Sequence, residues 1–149
     1  MKILNEMRLT LLSCSSNEGF ARIAVTAFIA QLDPTIEEIA DIKTAVSEAV
    51  TNCIVHAYKE QLGKIYIMSR ILENGRIQIK IRDTGCGIAD IKQAMEPLFT
   101  TGGSERAGLG FAVMESFMDK LKVNSVVGRG TSVFLEKTLK KKEIRASNR

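Results

Sequence analysis

The sequence predicts a two-layer α+β sandwich, with helices on one face of a largely antiparallel or mixed sheet. Three observations carry that prediction. Apolar residues alternate at period two in short segments and recur at helical period between them. The elements follow the order β-α-α-β-β-loop-α-β-β. Hairpin signals at Asn74-Gly75 and at Gly128-Arg129-Gly130 join neighbouring strands late in the chain, and hairpins make antiparallel pairs.

Each element has its own reason. Met7, Leu9 and Leu11 alternate with Arg8 and Thr10, which predicts a first strand over Met7–Leu12. Ser15 and Glu18 have capping-box spacing. Phe20, Ile23, Ala24, Ala27 and Phe28 follow at helical period, so a helix is expected from Ser16 to Leu32. Asp33-Pro34 stops it, and Thr35 with Glu38 offers a second box. The next helix runs to about Tyr58 on a stripe that includes Ile42, Val46, Ala49, Val50 and Cys53. Lys64–Leu72 and Arg76–Asp83 are strands, joined where Asn74 and Gly75 both accept positive φ. The glycine-rich stretch from Thr84 to Gly110 reads as loop with a short helix near Ile91–Met95. A helix over Gly110–Leu121 and a hairpin of Lys122–Val127 with Ser132–Thr138 close the domain.

Length and composition bound the function. The chain has 149 residues, 45% of them hydrophobic and 26% charged, which suits one globular domain and argues against disorder. No apolar run is long enough to span a membrane and no signal-peptide core is present, so a cytoplasmic protein is expected. Cys14, Cys53 and Cys86 are widely spaced and His56 is the lone histidine, a set that argues against disulfides and structural zinc. The net charge is +4 and invites a nucleic-acid reading. Residues 137–149, however, hold six cations against one acid, which leaves 1–136 at −1. The domain is therefore expected over 1–138, with 139–149 as a basic, solvated tail, and direct nucleic-acid binding is not expected.

Four groups of residues could carry chemistry. Glu48 and Asn52 lie one helical turn apart, about 40° from each other and far from the apolar stripe. Such a pair reads either as a solvated face or as a carboxylate base beside a Mg²⁺-ligating amide. Asp83-Thr84-Gly85-Cys86-Gly87 ends a strand. It is an ordinary turn or a place where glycines let the backbone approach a flat ligand while the aspartate accepts from an exocyclic amine. The stretch containing Arg106, Gly108, Leu109 and Gly110 opens into a helix, where free N–H groups and the positive dipole end suit phosphate. Gly130-Thr131 precedes the last strand. Walker A, Rossmann, HExxH and GxSxG patterns are all absent.

Taken in order, these motifs resemble the GHKL ATP-binding family, the histidine-kinase-like fold shared with gyrase, over about residues 8–138. The length leaves no room for the extra domains of most members. SEAVTNCIVHAY (47–58), IRDTGCGI (81–88), EPLFTT (96–101) and AGLGF (107–111) resemble the stand-alone branch, the anti-sigma-factor serine kinases. Residues 17–34 are most similar to the sporulation members, and the general-stress members are the nearest siblings. The resemblance implies that Glu48 is the general base, Asn52 the Mg²⁺ ligand and Asp83 the adenine-reading acid. Gly85 and Gly87 would shape the pocket, and Thr131 would support adenine through water. Thr100, Thr101 and Arg106 would form a lid, shortened here by Gly102-Gly103, and Gly108, Leu109 and Gly110 would bind phosphates. It implies ATP and Mg²⁺ as cofactors, a sigma factor and a serine-phosphorylated anti-anti-sigma factor as partners, and a homodimer built on the N-terminal strand and helix. Arg22 is the expected partner contact. An ATP-gated binder without kinase activity, and an ATPase acting on nucleic acid, are the competing readings.

Overall fold

A computed structural model of the chain describes residues 1–59, 61–96 and 104–140, the side chains of 104–108 excepted. Five strands form one sheet in the order β1-β2-β3-β5-β4: β1 Ile3–Leu12, β2 Lys64–Leu72, β3 Arg76–Asp83, β4 Lys120–Val126 and β5 Gly130–Thr138. Every neighbouring pair is antiparallel. The helices α1 Ser16–Ile29, α2 Ile36–Asn52, α3 Ile91–Ala94 and α4 Ser104–Phe117 complete the two-layer sandwich. The core lies between the sheet's inner residues, among them Ile65, Ile67, Ile79 and Leu135, and Val25, Val46, Phe111 and Met114 of the helices. Each such side chain contributes about 1.5–3 kcal/mol by leaving water.

Several elements differ from expectation for physical reasons. β1 starts four residues earlier than Met7, at Ile3, because backbone pairing with β2 defines it there. Residues 3–6 are exposed on both faces and carry no alternation. On α1 the packed face is Ala21, Val25 and Ile29 rather than the stripe of Phe20, Ile23, Ala24 and Ala27. Phe20 and Ile23 are 52% and 61% exposed. The two faces lie about 150° apart, and α1 is apolar on both, so periodicity alone could not choose.

The two expected capping boxes also part company. Thr35 and Glu38 form theirs with both bonds, 3.1 Å and 2.9 Å. Ser15 has helical rather than extended backbone (φ −59°, ψ −31°) and makes no side-chain cap bond, and the Glu18 carboxylate accepts instead from Ser47 Oγ on α2, at 2.6 Å. The last turn of the expected second helix, Cys53–Ala57, is π-helical. The hairpin at Asn74-Gly75 is as expected, with φ of 65° and 75°. α4 begins at Ser104 and ends at Phe117, so Gly108 and Gly110 sit inside the helix rather than before it. Past β5, Leu139 is buried and its N–H bonds Gly75 O at 2.9 Å, while Lys140 N–H bonds Glu38 Oε2 at 2.8 Å. These contacts carry ordered packing two residues beyond the expected domain end.

Candidate functional site

A cavity of about 470 Å³ opens between α2, the loop after β3, α4 and β5, a size typical of small-molecule sites. Its exposed wall is more apolar than polar, with Ala49, Ile88, Ala94, Phe111 and Val133 among the lining residues, and Asn52, His56, Lys59, Asp83, Asp90, Gln93 and Thr131 add polar groups.

Asp83 is part of the lining. It is 5% exposed. Its Oδ1 accepts from Gly85 N–H at 2.9 Å and Thr131 N–H at 3.2 Å. The Cys53 thiol donates to Oδ2 at 3.6 Å. Burial pushes the Asp83 carboxyl above its usual 3.8, and the two backbone donors offset only part of that.

The neighbouring glycines serve the backbone. A Cβ on Gly85 would run into Ala57 O, one on Gly87 into Val126 O and one on Gly130 into Asp83 O. The tight spacing reads as loop packing against the π-helical turn and the β4–β5 hairpin. Cys86 N–H bonds Ala57 O at 3.0 Å and Cys86 Sγ contacts His56 O at 3.3 Å. Tyr58 Oη accepts from Thr84 N–H at 2.7 Å and donates to Lys64 O at 2.5 Å. A π-helical turn shifts its carbonyls off the α-helical ladder, and here Ala57 O and His56 O receive the loop. Ser125 completes the frame: its Oγ accepts from Ile88 N–H at 2.7 Å and shares a bond with Thr131 Oγ1 at 2.8 Å.

Glu48 and Asn52 do not lie on a solvated face. Both are half-buried, because α4 crosses over them. A Cβ on Gly110 would stand 3.1 Å from Glu48 Oε2 and 3.5 Å from both Asn52 amide atoms. Asn52 Nδ2 and Oδ1 are buried and have no hydrogen-bond partner among the described residues. Buried polar groups are nearly always paired, and this exception lies on the lining of the cavity. Glycine at position 110 keeps the space over the amide open.

Other expected site residues stand apart from this frame. Thr100 and Thr101 lie outside the described residues, as do the side chain of Arg106 and the surroundings of Gly108. Leu109 is on α4 and 48% exposed. Arg22 is on α1, away from the cleft lining, with its Nε 3.8 Å from Glu18. Cys53, Tyr58 and Ser125 were not singled out for the site. Cys53 was legible only as part of an apolar stripe, and the other two act through contacts distant in sequence. No group of three or more His, Cys, Asp or Glu that could hold a metal exists among the described residues. Nor is any described helix long and apolar enough to cross a membrane.

Residues 17–137 match the family model described as histidine kinase-like ATPase domain. The chain is 59% identical over 138 residues to the anti-sigma F factor of Caldanaerobacter subterraneus subsp. tengcongensis, covering 92% of this chain and 96% of the relative. The chain belongs to the anti-sigma F factor family. Relatives within it include that of Geobacillus thermodenitrificans, 51% identical over 92% of this chain and 94% of its own. The fold agrees with this membership. The crystal structure of the RsbU and RsbW domains of a Mycobacterium tuberculosis protein superposes with a TM-score of 0.68 at 20% identity, over 91% of this chain and 32% of that one.

Proposed function

We propose that this chain is a cytoplasmic, sporulation-type anti-sigma factor and ATP-dependent protein serine kinase. It holds a sigma factor away from RNA polymerase and phosphorylates a serine of an anti-anti-sigma factor. The observation that carries the reading is the buried Asn52 amide, which has no partner among the described residues, lies one turn from Glu48 and lines a cleft that Asp83 also lines. A pure nucleotide-gated binder has no use for a carboxylate beside that amide.

The residues divide the work. Asp83 Oδ2 accepts from an exocyclic amine while Oδ1 is held by two backbone donors. Gly85 and Gly87 set the loop against Ala57 and Val126, and Thr131 supports the base from β5. Asn52 Oδ1 suits Mg²⁺, a hard cation that takes few protein oxygens and leans on substrate phosphates and water. Bound there with the nucleotide, the ion would neutralise phosphate charge. Glu48 takes the proton of the incoming serine hydroxyl. The transfer joins the serine oxygen to the γ-phosphorus and breaks its bond to the β-phosphate oxygen, leaving phosphoserine and ADP. Positioning and charge neutralisation supply most of such catalysis. Thr100, Thr101 and Arg106 are assigned to the lid, and Gly108, Leu109 and Gly110 to the phosphate end. Arg22, between exposed Phe20 and Ile23 on α1, is assigned to partner contact on a homodimer.

The deciding experiment pairs two variants. Glu48→Gln is expected to bind Mg-ATP as the wild type does and to lose transfer of label from γ-labelled ATP to the anti-anti-sigma protein. Asn52→Ala is expected to lose Mg-dependent nucleotide binding in calorimetry. Undiminished transfer by Glu48→Gln removes the kinase mechanism; undiminished binding by Asn52→Ala removes the metal assignment.

A further inference from the structure

The motifs that carry the proposed kinase leave one buried group at the cleft unused. Cys53 is 3% exposed, opens the π-helical turn and lines the cavity beside Asp83. Its Sγ lies 3.6 Å from Asp83 Oδ2. The other carboxylate oxygen is already taken by the N–H groups of Gly85 and Thr131. The thiol is thus the described side-chain donor on the oxygen that remains for a ligand.

We propose that Cys53 is a positioning residue for base recognition: its thiol fixes Asp83 Oδ2 as an acceptor, so the cleft selects a 6-aminopurine over a 6-oxopurine. The inference rests on the reading that the cleft binds a purine nucleotide. A carboxylate has about four lone-pair sites. With Oδ1 occupied twice and Oδ2 once, the free lone pair on Oδ2 is the one left for the base. A 6-amino group donates to it. A 6-oxo group sets acceptor against acceptor, and a polar mismatch in a desolvated site is strongly rejected. Discrimination is lost if Asp83 rotates or takes up a proton and becomes a donor itself. The thiol opposes both by donating to Oδ2 and holding it in place as an acceptor. A thiol is a weak donor and competes little with an amine for the same oxygen.

The test compares Mg-ATP with Mg-ITP, which differ at the 6-position of the base, by calorimetry on the full chain. Wild type is expected to prefer ATP. Cys53→Ala and the volume-keeping Cys53→Val are expected to narrow the ATP-to-ITP affinity ratio about three- to tenfold, the worth of one hydrogen bond. Cys53→Ser, which keeps a donor, is expected to hold the ratio. A purely structural cysteine would weaken both nucleotides alike and leave the ratio unmoved, and that result overturns the inference while the nucleotide reading stands. Failure of wild type to bind either nucleotide overturns both.

Discussion

Asp83 sits where a carboxylate is expensive to hold. It is buried beside apolar walls, and burial raises its affinity for a proton above the usual 3.8. The folded chain therefore binds that proton more tightly than the unfolded chain does. Its contribution to stability is most favourable at low pH and declines as pH rises from about 3.8 through the raised folded value. At neutral pH the buried, ionised carboxylate is destabilising. Asp83→Asn keeps an oxygen for Gly85 and Thr131 and removes the charge. That variant is expected to melt at or above the wild-type temperature near pH 7 and to lose the pH-dependent decline. It is also expected to bind ATP roughly tenfold or more weakly, as a lost charge-assisted hydrogen bond implies. A markedly lower melting temperature at pH 7 would contradict this account. At the residue scale, type and spacing mark Asp83, Glu48 and Asn52 as candidates because both are local, and the family resemblance supplies their proposed roles. Neither singles out Cys53, because an unremarkable apolar position became a donor only when α2 met β3.

Among the elements, the caps show the limit of local rules. Ser15/Glu18 and Thr35/Glu38 have the same spacing, yet only the second box closes. Ser47 on the neighbouring helix offers Glu18 a better partner. Thr35→Ala is accordingly expected to cost about 1 kcal/mol in denaturant unfolding, and Ser15→Ala only a few tenths. Equal losses would show that the Ser15 box closes in solution. The π-helical turn is the element that sequence could not announce. Its five residues read as continued helix, and its carbonyls were claimed by the Gly85-Cys86 loop thirty residues on. The result is that the loop after β3 is anchored to the turn that follows α2, and Asp83 and Asn52 line one cleft.

For the whole molecule, net charge proved a poor guide to surface. Residues 1–136 sum to −1, yet the outward residues of the sheet include Arg8, Arg70, Lys80, Arg82, Lys120 and Lys122. Glu6 and Glu136 share that face, paired with Arg8, Arg70 and Lys120, but the cations there outnumber the acids, so a near-neutral chain presents a cationic sheet. The C-terminal boundary also belongs to this scale. Leu139 joins the core and Lys140 N–H ties the strand end to the α2 cap. Truncation after Thr138 is expected to lower unfolding free energy by about 2–3 kcal/mol, one buried leucine and its tether. Truncation after Lys140 is expected to leave it within about 0.5 kcal/mol of the full chain. Equal stability of the two truncations in urea melts would return the boundary to 138.

The sequence by itself determined the layer architecture, the hairpins and the residue types of the site. Strand alternation, positive-φ turns and side-chain chemistry are properties of short segments. Tertiary structure alone decided which face of α1 is buried, which capping box closes and where the second helix turns π-helical. It also took Glu48 and Asn52 off a solvated helix face, setting Glu48 beside Gly110 of α4 and Asn52 in the wall of a cleft. Each of these depends on which distant atoms compete for the same contact, and that competition is settled only when the layers pack.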